Sequence, residues 1–187
     1  MSKRIFVAVD ISEPAREAVA EYMRGLHREF PGVRPRWLPP ENLHITMRFV
    51  GNVDEAGLAS VEKTVRDAAD RFRPFSARLD GTGNFANRKI RQDALWIGVH
   101  STPANALAEL AAALAPTEVR KFVPHLTIAR LKDPPKGRDL VTSHLNSKYP
   151  AVEFTVDHLT IYESILGPAG STYVPFERVR LTWSDKP

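Results

Sequence analysis

No cysteine occurs anywhere in the 187 residues. Disulfides, thiolate nucleophiles and Cys-ligated zinc or iron-sulfur centres are therefore excluded, and the reactive groups left are imidazole, carboxylate, amine, guanidinium and hydroxyl. Long apolar runs are missing as well. No stretch approaches the roughly 18 to 20 residues that a membrane-spanning helix needs. Met1-Ser2-Lys3-Arg4 leads directly into Ile5-Phe6-Val7-Ala8-Val9-Asp10, too short and too soon acidic for a secretory signal, so a cytoplasmic location is the expectation. Nor does any period of about 20 to 50 residues run through the chain, which argues against a solenoid.

What is present is a balanced globular composition, 43% hydrophobic, with a formal charge of +4. The positive residues gather at Arg34 and Arg36, at Arg88, Lys89 and Arg91, at Arg120 and Lys121, and at Lys132, Lys136 and Arg138. Such clustering suits a polyanionic partner, although Lys and Arg decorate any solvated surface.

Periodicity and punctuation divide the chain into alternating elements. Ile5–Val9 reads as a buried strand, and Ser12 followed by Glu13-Pro14 reads as the capped start of a helix over 13–30, with Val19, Met23, Leu26 and Phe30 on one face. Arg36-Trp37-Leu38 is a candidate short strand, and Pro39-Pro40 turns the chain into a strand over 43–50 that Gly51-Asn52 should close. Asp54 can cap a second helix reaching Phe72. A strand over 75–80, a long exposed loop with a basic tip over 81–91, and a strand over 95–99 come next. Thr102-Pro103 should open a third helix, followed by a strand over 125–131, a short helix around 139–145, a long strand over 152–165 and another over 173–183. This order predicts an α+β fold with two similar lobes rather than a doubly wound parallel sheet.

Two of the predicted strands spell nearly the same word, His44-Ile45-Thr46-Met47 and Pro124-His125-Leu126-Thr127-Ile128. Side chains alternate along a strand, so His44 and Thr46 share one face, Ile45 and Met47 the other, and the second copy behaves likewise. Two histidines offered to a shared cleft suit acid-base displacement at phosphorus. With an ordinary pKa near 6.5, one imidazole can accept a proton from the attacking oxygen while the other donates one to the departing oxygen. The threonine hydroxyls could hold non-bridging oxygens, and Arg130 could add a bidentate contact to a phosphate or ribose. Strict alternation puts Arg130 opposite His125, so its role requires the strand to end or twist there. The same parity puts Phe49 opposite His44, favouring core over base platform. Trp37 and the loop around Phe85 are further stacking candidates. His27, His100, His144 and His158 lack a companion motif and read as ordinary surface or core histidines.

The segment Arg36–Gly51, with Pro124–Arg130, resembles the 2H phosphoesterase superfamily, and within it the bacterial RNA 2′,3′-cyclic phosphodiesterases, also called 2′-5′ RNA ligases. Arg4–Val9 and Leu159–Ser164 before Gly167-Pro168 share the likeness. The resemblance implies a single bilobal domain over 1–187 with a pseudo-twofold axis. Each intertwined lobe would hold one motif, at 44–47 and 125–128, on an antiparallel-rich sheet with helices outside and the cleft between lobes. It further implies metal-independent hydrolysis of an RNA terminal 2′,3′-cyclic phosphate to a 2′-phosphate, with reversible 2′-5′ joining also associated with the family. Carried over, His44 is the proton donor, His125 the proton acceptor, Thr46, Thr127 and Arg130 bind phosphate or substrate, and Phe49, Trp37, Arg88, Lys89 and Arg91 are candidate base or RNA contacts. No cofactor, membrane or obligate protein partner is implied. The expected partner is an RNA with a cyclic-phosphate end, single-stranded or tRNA-like.

From the residues alone the two histidines are interchangeable as acid and base. Two other readings compete with the hydrolase: a non-catalytic RNA-end or nucleotide-binding module, and a phosphodiesterase acting on a small cyclic nucleotide. A metal-dependent phosphoesterase fits less well, because neither motif carries a carboxylate to complete a ligand set.

Overall fold

The computed structural model describes the chain apart from Met1, Arg88, Ile90, Arg91, Val119, Arg120, Asp133, Ala169 and residues 184–187. Strand β1 (Lys3–Asp10) buries Ile5 to Val9. Helix α1 (Glu13–Glu29) starts where the Ser12 hydroxyl accepts the Ala15 amide, and it turns Val19, Met23 and Leu26 into the core. Two-residue β2 (Arg36–Trp37) and a 3-10 turn at Pro40–Asn42 lead into β3 (His44–Val53). Asp54 caps α2 (Glu55–Ala69) by accepting the Gly57 amide at 2.8 Å. Then come β4 (Phe75–Asn87), β5 (Gln92–Thr102), α3 (Ala106–Leu114), β6 (His125–Lys132), α4 (Arg138–Asn146), β7 (Val152–Val156), β8 (His158–Gly167) and β9 (Gly170–Arg180).

The strands form one antiparallel sheet in the order β7-β4-β5-β6-β3-β1-β8-β9, with β2 added beside β6. It falls into two half-sheets, β7-β4-β5-β6 and β3-β1-β8-β9, joined through a single residue pair, Ile45 opposite Leu126. One residue, Asp157, separates β7 at one edge from β8 in the other half, so the sheet must curl. Helices cover one face: α1 packs against β7 and α4 against β4, while α2 lies against β3, β8 and β9 and α3 against β3 and β5. Each half thus receives a helix from the other half's strand, since α1 follows β1 and α3 follows β5. The fold is α+β and bilobal with a pseudo-twofold relation, as expected.

Four local expectations differ from the structure. Residues 81–87 are strand, because Gly81 adopts φ 75 in a bulge between Leu79 and Thr82 and the chain resumes pairing with β5. Gly51 likewise sits at φ 88 within β3 without ending it. The predicted strand over 152–165 is two strands, β7 paired with β4 and β8 paired with β1. Helix α3 begins at Ala106, with the buried Ser101 hydroxyl accepting the Leu107 amide at 3.3 Å.

Candidate active site

Ile45 and Leu126 are fully buried at the junction of the half-sheets, so the residues flanking them point to the opposite, helix-free face. Their antiparallel relation sets His44 level with Thr127 and Thr46 level with His125. Both imidazoles are held the same way. Nδ1–H of His44 donates to the Asn42 carbonyl at 2.7 Å, and Nδ1–H of His125 donates to the Val123 carbonyl at 2.7 Å. A carbonyl can only accept, so the tautomer is fixed and Nε2 is the working atom on each ring. The Thr46 hydroxyl lies 3.0 Å from Nε2 of His44. The two rings sense one another: burial pushes the His44 imidazole below its ordinary value, the Asn42 carbonyl and the Asp10 carboxylate oppose this, and the charge of His125 adds to the lowering.

Beyond the histidines the strands do not alternate strictly. Ala8 pairs with Thr46 and Val7 with Arg48, leaving Met47 unopposed, while Trp96 pairs with Thr127 and Leu95 with Ala129, leaving Ile128 unopposed. Each motif therefore carries a β-bulge at its fourth residue, which reverses the parity of the residues next after it. Arg130 comes round to the face of His125 and Thr127, exposed, between buried Ala129 and Leu131. Phe49 comes round to the face of His44. It is 76% exposed with its ring 6.3 Å from Phe6, correcting the expectation of a core position. Arg48 turns inward instead, donating to the Leu114 carbonyl at the end of α3 at 2.7 Å.

Trp37 is half-buried against the core beside Ala129, while its neighbour Arg36 pairs with Arg130. Lys89 is exposed at the β4–β5 connection, and Arg88 and Arg91 lie outside the described residues. Phe85 stands edge-on to His125 with centroids 4.8 Å apart, and Trp96 lies close over Gly83, where an added Cβ would meet its ring at 2.2 Å. Among the described residues no three His, Asp or Glu side chains gather as a metal-binding group.

Sequence reasoning missed the surroundings of His44. Phe6 lies 4.9 Å from its ring and Tyr173 stands edge-on at 5.2 Å, while Tyr162 stacks on Phe6. Beside them Asp10, the Cα partner of His44 across β1 and β3, accepts hydrogen bonds from Tyr162 at 2.6 Å, Thr160 at 2.8 Å and His158 at 3.0 Å. Burial alone would raise the Asp10 carboxyl, but these bonds outweigh it and hold it at about 2. His158 donates from its other nitrogen to Asp157 at 2.5 Å, and the Asp10 bond is the main reason its own pKa is raised. The one available signal was a polar Asp ending an apolar strand.

The model of the 2′-5′ RNA ligase superfamily matches residues 11–167. The chain belongs to that family. A relative from Methanothermobacter thermautotrophicus named RNA 2′,3′-cyclic phosphodiesterase is 33% identical over 192 residues, covering 97% of this chain and 100% of its own. The one of that name from Thermotoga maritima is 31% identical over 175 residues, covering 91% of each chain. The solved structure of E. coli LigT complexed with phosphate superposes with a TM-score of 0.72 at 25% identity, over 97% of this chain and 98% of the other.

Proposed function

We propose that this chain hydrolyses the 2′,3′-cyclic phosphate at the end of an RNA to a 2′-phosphate, acting in the cytoplasm as one bilobal domain with one motif from each lobe. The relatives' names support the reaction. The observation that carries the mechanism is the pair of imidazoles, each fixed by the carbonyl two residues before it, with both Nε2 atoms turned to one face.

In the proposed step His125 takes a proton from water as its oxygen bonds to phosphorus, the bond from phosphorus to O3′ breaks, and His44 gives its proton to O3′. Thr46 and Thr127 hold non-bridging oxygens, and Arg130 contacts phosphate or ribose. A phosphodiester anion between the rings favours their charged forms and offsets the burial that depresses His44. Acid-base catalysis of this kind supplies roughly 10² to 10⁴ in rate. No metal is required, and an RNA 5′-hydroxyl in place of water gives a 2′-5′ linkage by the same bond changes.

The deciding experiment uses an RNA ending in a 2′,3′-cyclic phosphate, with chelator present, and separates 2′- from 3′-monophosphate products. A 2′-phosphate product formed by wild type and lost in His44→Ala and His125→Ala is expected. Tight product binding without turnover means a binding module, preference for a free cyclic nucleotide moves the substrate class, and metal-restored activity overturns the mechanism.

A further inference from the structure

The two half-sheets can be laid on one another by their pairing. Thr46 and His44 face Ala8 and Asp10 of β1, while Thr127 and His125 face Trp96 and Gly98 of β5. The position occupied by a carboxylate in the half that bears His44 is a glycine in the other. It cannot readily be anything else, since a Cβ on Gly98 would come within 2.6 Å of the Asp80 carbonyl oxygen.

Asp10 is immobilised by the three hydrogen bonds from β8. The sheet order β3-β1-β8-β9 gives its charge a direction. On the β3 side lies His44. On the far side lie the cations, His158 donating at 3.0 Å and the Arg178 guanidinium at 3.8 Å. The anion is thus nearer to His44 than its own counter-charges are, and their mutual cancellation is incomplete at the imidazole. The remaining groups around His44 are Thr46 on its own strand, His125 from β6, Tyr162 from β8 and Tyr173 from β9. Tyr162 stays neutral, because burial, helped by Asp10, pushes its hydroxyl pKa up.

We propose that Asp10 is a positioning charge that sustains the protonated form of His44, and thereby gives the acid role to the half-sheet that carries it. This rests on the acid-base reading above. Its test has two readouts. In NMR titrations of the full chain, Asp10→Asn should move the His44 ring to lower pH and leave His125 much less changed. His158→Gln, which removes a far-side cation, should move His44 to higher pH. A merely structural role predicts no such opposition of sign. On cyclic-phosphate RNA, Asp10→Asn should shift the basic limb of the kcat/KM profile to lower pH and reduce kcat/KM at pH 8 by about tenfold, less than the roughly 10² to 10⁴ that loss of an acid or base itself costs, and Asp10→Glu should restore part of it. An unmoved His44 in folded Asp10→Asn, equal shifts of both histidines, or no response to His158→Gln overturns the proposal. Absence of turnover in wild type would sink the proposed reaction instead, while the titrations would still report on Asp10.

Discussion

The half-sheet around His44 and the half-sheet around His125 share a strand order, a motif, a bulge and a carbonyl behind the imidazole, yet they differ in what surrounds the ring. Around His44 lie Phe6, Tyr162 and Tyr173 with an ionised, hydrogen-bonded Asp10 at their base. Around His125 lie Phe85 and Trp96, the latter packed onto Gly83. After the bulge the first half presents Phe49 and the second Arg130. Backbone symmetry brings two identical imidazoles together, and side-chain asymmetry is what would allow them the different work proposed for them.

The comparison is broken most severely at the histidines. His44→Ala and His125→Ala should each reduce kcat/KM by about 10² to 10⁴, and the double variant should lose little more than the worse single one, because in the proposed mechanism the two act in one step. Should either single variant keep most of its activity, the halves are not partners. Next in size is acid stability. Asp10 has an ordinary pKa of 3.8 and a folded value of about 2. Its stabilisation is therefore present above pH 4 and lost as pH falls from there towards 2, an effect of about 2 kcal/mol. Denaturant melts between pH 2 and 5 should show that slope in wild type and not in Asp10→Asn. Arg130→Ala should raise KM for the RNA by about tenfold, as expected for loss of a charge-assisted contact. The smallest effect belongs to its counterpart: Phe49→Ala should weaken RNA binding by about fivefold, the low end for a lost stacking surface, and leave the melting temperature nearly unchanged because the ring is 76% exposed. Equal effects at Phe49 and Arg130 would erase the proposed division between base and anion contacts.

The motif histidines and threonines were legible because their spacing is local and the period of a strand is two. The residues just after each motif were not. A bulge depends on the neighbouring strand, and nothing in Met47-Arg48-Phe49 or Ile128-Ala129-Arg130 announces that one residue will go unopposed. The parity rule consequently sent both Phe49 and Arg130 to the wrong face. The strand over 152–165 failed for a related reason: its apolar residues continue past Asp157, but Phe154 and Ile161 belong to opposite halves of the sheet. The starts of helices α1 and α2 were readable to the residue, since Ser12 and Asp54 cap them locally, whereas α2 ends at Ala69 rather than reaching Phe72. Asp10 was marked only as a carboxylate ending an apolar strand and His158 not at all, the two being joined only when β1 and β8 pair.

The separation of β8 and β9 from β1 and β3 along the chain has a consequence for biosynthesis. Strands β4 to β7 form a contiguous stretch of sequence, so the sheet that carries His125 can pair as soon as its own residues have left the ribosome. The sheet that carries His44 waits for the C-terminal hairpin, and until that arrives β1 has an open edge and Asp10 lacks every one of its hydrogen-bond donors. The half with the more elaborate electrostatics is the last to be assembled. A truncated or stalled chain would thus carry one finished imidazole site and one unfinished one.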